Sequence, residues 1–177
     1  MAIFGCNTIG GSNQEIINRL SGSVFTIPEN GTANSITAYI LNYCEQDIPV
    51  PPYYRQTGIY LQYALYKHSD LSLIDYTLST LVKQTSWGWK TLNLTQNAVL
   101  IADTPYILKL WSKGCAYYEF SAVKYASGDP DQGHYQSLDY DIGLPDPLVP
   151  THEDRKYSIY CTYTPPAVPG GILAQII

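Results

Sequence analysis

The sequence predicts an all-β protein: a single antiparallel β-sandwich, jelly-roll-like, with short terminal extensions. Apolar and polar residues alternate with a period of two in several short runs, as in strands with one buried face. Gly, Pro, Asn and Asp residues that favour turns separate these runs. A chain of 177 residues also suits one domain with a sizeable core. We expect the sandwich to span residues 1–164 and residues 165–177 to form a hinge and a hydrophobic assembly tail.

The first predicted element is a short helix around residues 13–20, because Ile16, Ile17 and Leu20 have helical spacing after Ser12. It precedes the first predicted strand, and nothing in the pattern extends it beyond two turns.

The first predicted strands are Val24 to Ile27 and Ser35 to Leu41. In the second run Ile36, Ala38 and Ile40 alternate with polar neighbours. The turn Pro28-Glu29-Asn30-Gly31 lies between the two runs, and its Asn-Gly pair tolerates positive φ. We therefore predict that the two runs form a hairpin.

The later strands follow in order, each after a turn signal: Ile59 to Tyr66, Trp89 to Leu94, Tyr106 to Trp111, Ala116 to Ala122 and Tyr157 to Tyr163. A long loop from about Tyr125 to Lys156 separates the last two strands. Loops of this length in a compact domain are usually functional or packed across a neighbour.

The C-terminal segment combines a stiff proline-rich stretch, Gly170-Gly171 and six apolar residues. An exposed run of this kind is an aggregation hazard, so we expect another subunit to bury it. In strand addition its side chains would fill pockets on two faces. The predicted subunit contacts are Ile172, Leu173, Ile176 and Ile177. The alternative is an edge strand folded back on its own domain, which the two glycines also permit.

Composition restricts the classes of partner. Charged residues make up 14% of the chain, the net charge is -5 and tyrosine occupies 17 positions. Such a chain has no basic field to attract phosphates, so we expect no nucleic acid partner. No segment has the form of a secretory leader or a membrane span. Abundant tyrosine suits a surface that contacts sugars or other subunits, and we expect an extracellular, cell-surface or virion location.

Four cysteines, Cys6, Cys44, Cys115 and Cys161, are widely spaced and contain no CxxC pair. All four are candidate disulfide residues, and three pairings are open. Cys44 and Cys115 fall near predicted loops, which favours bridging within or between subunits. Cys161 shares strand parity with Ile159 and Tyr163, which equally fits a small buried hydrophobic residue.

The long loop carries two pairs of alternating carboxylates, Asp129 with Asp131 and Asp139 with Asp141. Carboxylate oxygens are the ligands that calcium prefers, so these four residues are a candidate calcium site. The EF-hand pattern is not met, because Gly133 and Tyr140 stand where ligands belong. A solvated turn-rich loop is the alternative, and no other cofactor is expected.

Trp87-Gly88-Trp89 places two indoles two residues apart. In an extended strand both rings lie on one face, where they would stack on a pyranose ring. Trp87 and Trp89 are therefore candidate glycan-binding residues. The alternative is that one or both fill the core, which is the commoner position for tryptophan.

Two sequons, at Asn30 and Asn93, are candidate glycosylation sites if the protein crosses a secretory membrane.

The sequence predicts no enzyme. It has no GxSxG elbow, and its histidines lack metal-ligand spacing. A glycosidase needs only two carboxylates, which the acidic loop or Asp75, Asp103 and Glu119 would have to supply.

The chain also resembles a known group of modules. The residues concerned are Thr8-Ile9-Gly10, Asn18 to Thr26, Pro28 to Thr32, Ser35 to Tyr39, Pro145-Asp146-Pro147 and Arg155 to Tyr163. They are similar to segments that open and close β-sandwich modules of bacterial and archaeal surface proteins and of phage structural proteins. The resemblance spans Thr8 to Thr164 and implies an adhesive, decorating or filament-forming role without catalytic residues.

We therefore expect a non-enzymatic structural subunit of an extracellular or viral assembly, either a self-associating filament or a virion decoration or fibre protein. Its partners would be further copies of itself or other virion or surface proteins. The alternative is a carbohydrate-binding adhesion module that recognises glycans through surface aromatic residues.

Overall fold

A computed structural model describes residues 1–47, 54–115 and 118–167. It is all-β, and two antiparallel sheets pack against each other, which confirms the predicted β-sandwich. Among the described residues no helix is both long and apolar enough to cross a membrane.

The first sheet contains nine strands: β1 (Ala2–Gly5), β2 (Ser12–Glu15), β4 (Gly31–Asp47), β5 (Tyr54–Thr57), β9 (Gln84–Asn93), β10 (Val99–Leu100), β12 (Tyr118–Ser127), β15 (Arg155–Tyr157) and β16 (Ile159–Thr164). The second sheet contains seven: β3 (Arg19–Thr26), β6 (Ile59–Lys67), β7 (Leu73–Tyr76), β8 (Thr80–Val82), β11 (Pro105–Ser112), β13 (Gly133–Ser137) and β14 (Thr151–Glu153). A single turn of 3-10 helix covers Tyr140–Ile142.

Strand β4 is the centre of the first sheet. It is 17 residues long and pairs with β16 and β12, and also with β9, β10 and β5 along different parts of its length. The second sheet runs in the order β14, β13, β3, β11, β6, β7, with β8 also on β6. Strand β4 has partner strands on both sides along most of its length. Its alternate side chains therefore point to the inner and the outer face near the middle of the first sheet.

The main core lies between the sheets and follows from strand parity. Ile36, Ala38 and Ile40 of β4 are fully buried, as the alternation predicts. From the other sheet, Leu108 and Leu110 of β11 point into the same cluster. Burying each such side chain contributes about 1.5 to 3 kcal/mol before ordering costs.

A second hydrophobic cluster covers the outer face of the second sheet. Its strand residues have the opposite parity to the core, because Ile107 and Trp111 belong to this cluster while Leu108 belongs to the core. Tyr140 and Leu148, from the segment after β13, pack onto these side chains. The second sheet is therefore apolar on both faces, whereas among the described residues no comparable cluster lies on the outer face of the first sheet.

The predicted hairpin is wrong. Strand β3 pairs with β11 and β13 in the second sheet, and β4 lies in the first. Neither Asn30 nor Gly31 has a positive φ. The connection from Ile27 to Gly31 crosses between the sheets, which lets both strands direct apolar residues into one core from opposite sides.

The predicted helix around residues 13–20 is also wrong. Ser12–Glu15 is strand β2, which pairs antiparallel with β12. Asn18 has φ 48°, and β3 begins at the next residue. A helix of so few residues has a costly nucleus, so pairing with an existing strand is more favourable.

The segment predicted as one long loop contains three strands. Strand β13 joins β3 and β14 within the second sheet, and β15 pairs with β12. Residues 138–150 lie across the outer face of their own second sheet, so this segment covers its own domain.

Candidate functional site

Four aromatic side chains meet on the outer face of the first sheet. They are Tyr39 of β4, Trp87 and Trp89 of β9, and Tyr160 of β16, and we call them the outer aromatic face. Tyr39 has the opposite parity to Ile40 of the core and pairs in register with Trp89. Alternation in three neighbouring strands therefore brings the four rings together.

The rings form a continuous row. The Tyr39 and Trp87 ring centroids are 6.1 Å apart with planes inclined by only 8°. Trp89 packs edge-on against Tyr39 at 5.2 Å and lies 5.4 Å from Tyr160. Such stacked and tilted pairs hold one another in fixed orientations. Each of the four rings therefore has at least one aromatic neighbour within the row.

Neither tryptophan fills the core. Trp89 is 37% exposed, Trp87 is half-buried, and both contact the same Tyr39 ring, so they share one face of the sheet. The buried tryptophan is Trp111, which is 0% exposed in the second cluster.

One cation and a second aromatic pair extend this surface. The Lys124 Nζ lies 4.6 Å from the Trp87 ring centroid on the same sheet, a favourable cation–π contact. Further along β4, Tyr43 stacks on Phe120 at 4.8 Å with planes 13° apart. Burial and the Glu45 carboxylate raise the pKa of Tyr43, so its hydroxyl remains a hydrogen-bond donor at neutral pH.

The outer aromatic face combines flat apolar rings with hydroxyl groups. Indole and phenol rings offer flat apolar surfaces, and Tyr160 and Thr91 add hydroxyl groups beside them. A contiguous group of exposed apolar side chains often marks an interaction site, whereas single exposed apolar residues are common and carry no such meaning.

A second set of functional groups lies on the outer face of the second sheet, where Lys109 and His134 are buried and His152 is exposed. His152, His134, Gly22 and Lys109 lie in one cross-strand row. The His134 ring lies 4.5 Å from that of His152 and 5.7 Å from that of His68. Both ring nitrogens of His134 are buried without a hydrogen-bond partner in the described chain. The row has no solvent-exposed centre, since Lys109 is 0% and His134 1% exposed.

The candidate calcium ligands do not come together. Asp139 caps the 3-10 helix by accepting the Asp141 N–H, and Asp141 forms an ion pair with Lys113. Asp129 and Asp131 lie in the turn before β13. Within the described ranges no three His, Cys, Asp or Glu residues form a group able to hold a metal ion, so the geometry gives calcium no ligand set.

The carboxylates considered for glycosidase chemistry have other partners. Asp75 is 0% exposed, and its carboxylate accepts the N–H groups of Tyr76 at 2.8 Å, Gln96 at 2.9 Å and Ala98 at 3.1 Å. Glu119 accepts the N–H of Cys115 at 3.1 Å. Asp103 lies in a turn with φ 57°. Asp75 therefore organises the connection between β9 and β10.

The cysteines divide into two kinds. Cys44 of β4 is bonded to Cys115, in the connection before β12. Cys6 and Cys161 are buried free thiols, and Cys161 lies in the main core. Burial raises the pKa of the Cys161 thiol to about 12, which keeps it protonated and unreactive. The Cys44–Cys115 bond is of a type that persists in oxidising compartments.

The remaining predicted residues are at the ends of strands or beyond them. Asn30 and Asn93 are both exposed, and the Oδ1 atom of Asn30 accepts the Ala102 N–H at 2.7 Å. The predicted subunit contacts Ile172, Leu173, Ile176 and Ile177 lie outside the described residues.

Sequence patterns identified half of the outer aromatic face. The Trp-Gly-Trp spacing indicated Trp87 and Trp89, and the alternation of β4 placed Tyr39 on its polar face. Tyr160 and Lys124 carried no local signal. Their proximity depends on β16 and β12 both pairing with β4, which no short-range pattern reveals.

Comparisons with known proteins leave this geometry as the basis for function. No protein-family model matches the chain, and no curated protein matches it either.

Proposed function

We propose that this protein is a non-catalytic glycan-binding module of an extracellular or virion assembly, and that the outer aromatic face is its binding surface. The observation that carries the proposal is the continuous row of Tyr39, Trp87, Trp89 and Tyr160. Trp89 is 37% exposed, and the other three rings are partly exposed. Sugar rings present apolar C–H faces and polar edges, and a row of flat rings flanked by hydroxyl groups complements both.

The asymmetry of the sandwich supports this assignment. Residues 138–150 cover the outer face of the second sheet, whereas the rings of the outer aromatic face lie outside the core and are partly exposed. Exposing tryptophan has no benefit for folding, because burial is its favourable state. A ligand that stacks on these rings supplies the reason for keeping them at the surface.

A glycan array followed by titration calorimetry tests the proposal. Trp89→Ala removes the central ring, and we expect at least a tenfold loss of affinity, which corresponds to about 1.4 kcal/mol. Val149→Ala is a matched control, since Val149 is 70% exposed in the segment over the opposite sheet and should leave binding unchanged. Absence of binding to every glycan on the array, or full affinity in Trp89→Ala, would refute the assignment.

Self-association is the second candidate function, and a separate surface favours it. Tyr60 and Leu81 are cross-strand neighbours at the β6–β8 end of the second sheet, and they are 46% and 59% exposed. Leu78, which is 68% exposed, lies just before β8. Apolar side chains beside a short edge strand are a typical site for pairing with another copy.

Sedimentation and negative-stain electron microscopy of the intact protein test this second function. If the β8 end joins copies, Leu81→Lys should dissociate oligomers while glycan binding persists. Trp89→Ala should have the opposite phenotype, with assembly retained and binding lost. A wild-type protein that stays monomeric at high concentration would exclude the subunit role for this surface.

A further inference from the structure

The outer aromatic face is one end of a longer polar path along β4. In register with Thr37 lie Thr91 of β9 and Tyr160 of β16. The next row contains Asn93, Ser35 and Thr162. After a bulge, the third row contains Val99, Thr32 and Thr164. Directly opposed residues of antiparallel strands point to the same face. These side chains therefore continue the surface that carries the aromatic rings.

The path offers neutral hydrogen-bonding groups. Its hydroxyl and amide side chains come from Thr, Ser, Asn and Tyr, and none of the described residues in these rows is Asp, Glu, Lys or Arg. Thr37 itself is only 2% exposed and bonds to the Thr91 hydroxyl at 2.8 Å. Thr91 and Asn93 are exposed at its side. Groups of this kind suit sugar hydroxyls, and these rows give no attraction for sulfate or carboxylate groups. Lys124, a cation on this face, lies over Trp87 at the aromatic end of the path.

The path ends in a cleft of about 380 Å³ beside the start of β4. This volume is at the lower end of the range for small-ligand sites. Val99, Ile101 and Pro165 form apolar walls, and Asn30 and Thr164 supply polar groups. The hydrogen bond from the Ala102 N–H to Asn30 fixes that side-chain amide. Asn34 likewise donates to the Thr164 hydroxyl at 2.9 Å, which orients it.

The distance between the two ends sets the size of the ligand. Tyr39 and Thr32 are seven residues apart on one strand, which corresponds to about 23 Å at about 3.3 Å per residue. A monosaccharide or disaccharide cannot occupy the rings and the cleft together. An extended chain of several sugar units can.

We propose that the ligand is an extended, uncharged polysaccharide that lies along β4, with one part stacked on the outer aromatic face and another part in the cleft at Asn30, Val99 and Pro165. This inference rests on the proposed glycan-binding function and adds its ligand class and second contact point. Each additional sugar unit along the path adds contacts, so affinity increases with chain length until the cleft is filled.

The test compares oligosaccharides by calorimetry on the intact protein, made without N-glycosylation because Asn30 and Asn93 lie on the path. The probes are disaccharides and hexasaccharides of β-1,4-linked glucose, xylose, mannose and N-acetylglucosamine, with heparin as the acidic comparison. For at least one neutral series we expect the hexasaccharide to bind at least tenfold more tightly than the disaccharide. Heparin should not bind, and affinity should be the same at low and high salt.

Two variants locate the contacts. Val99 is 77% exposed, so Val99→Lys should fold normally, as circular dichroism and thermal unfolding will check. It should reduce hexasaccharide affinity to the disaccharide level and leave disaccharide affinity unchanged. Trp89→Ala should weaken both probes.

The outcomes separate this inference from the function on which it rests. Equal affinity for short and long probes, or full hexasaccharide affinity in Val99→Lys, would refute the proposal of an extended ligand. Neither result would refute glycan binding at the outer aromatic face. Salt-sensitive binding to heparin alone would overturn the neutral ligand class. If neither these probes nor the array glycans bind, the proposed function itself fails.

Discussion

Lys109 is a charged residue in an apolar position. It is 0% exposed on the outer face of the second sheet, in register with Ala64 of the second cluster. Its Nζ donates to the backbone oxygen of His134. Burial lowers the pKa of Lys109 well below its ordinary value. The negative charge of Glu153 raises this pKa in part, and the positive charge of Arg19 lowers it further. Keeping a proton on this amine therefore costs free energy in the folded state.

We predict that Lys109→Met stabilises the protein. Methionine fills a similar volume and removes the free-energy cost of burying an ammonium group. Replacing whole buried ion pairs by apolar residues has stabilised proteins by about 1 to 4 kcal/mol, which is the upper range for this single charge. Since the unfolded chain binds the proton more strongly, the gain should be present at neutral pH and disappear as pH approaches the ordinary lysine value. Urea unfolding at pH 7 and pH 10 measures it. Lys67→Met, at a surface ion pair with Asp70, is the control, and a destabilised Lys109→Met would contradict the prediction.

His134 makes stability depend on pH. Burial, followed by the charges of Lys109, His152 and His68, lowers its pKa to about 3. The unfolded chain therefore takes up a proton near pH 6.5, whereas the folded protein takes it up only near pH 3. Stability should fall on acidification between these values, by at most about 1.4 kcal/mol per pH unit for this one proton.

His134→Leu tests this dependence, because it removes the buried imidazole and keeps His68 and His152. Urea unfolding at several pH values from 7 to 4 should give a shallower decline for the variant than for the wild type. Identical slopes would show that His134 is not the group responsible.

At the scale of elements, the Cys44–Cys115 bond holds the connection before β12 against β4. It closes a loop with a sequence separation of 71 residues, so it restricts the unfolded chain considerably. Glu119 also accepts the Cys115 N–H, which adds a local contact at the same end of β12.

We predict that replacing Cys44 and Cys115 together by serine destabilises the protein by about 2 to 4 kcal/mol, measured by thermal or urea unfolding. The unreduced wild type should contain two thiols, Cys6 and Cys161, that react with a thiol reagent only after unfolding, because both are buried. Four reactive thiols in native, unreduced protein would rule out the bond. Cys6→Ala serves as a control that leaves the bond intact.

Alternation predicted individual strands better than it predicted their partners. The positions of Ile36, Ala38 and Ile40 in the core follow from the β4 pattern alone. The partner of β3 did not follow, because the turn at Asn30-Gly31 has the local chemistry of a hairpin and yet connects the two sheets. Local turn preference is small compared with the burial of two apolar faces in a shared core.

At the scale of the whole molecule, the outer faces of the two sheets differ in what packs on them. The segment after β13 encloses Trp111 against the second sheet, whereas Trp87 and Trp89 remain at the surface of the first. This difference decides which tryptophan supports the fold and which is available to a ligand.

We predict that Trp111→Ala destabilises the protein by about 3 to 5 kcal/mol, the usual cost of removing a buried aromatic side chain. Trp89→Ala should cost about 1 kcal/mol or less, since its ring rests on surface neighbours. Chemical unfolding of the two variants gives the comparison. Similar losses in both would mean that the outer aromatic face is part of the structural core.

The sequence by itself determined the all-β class, the parity of the central strand and the shared face of Trp87 and Trp89, because these depend on the fixed period of two in an extended chain. Only the tertiary structure decided that this face lies outside the core of the described residues. It also placed Tyr160 and Lys124 beside the tryptophans and buried Lys109 with His134. Those outcomes depend on pairings between residues distant in the chain, such as Tyr160 with Thr37, and burial over the whole sandwich selects them rather than any local preference.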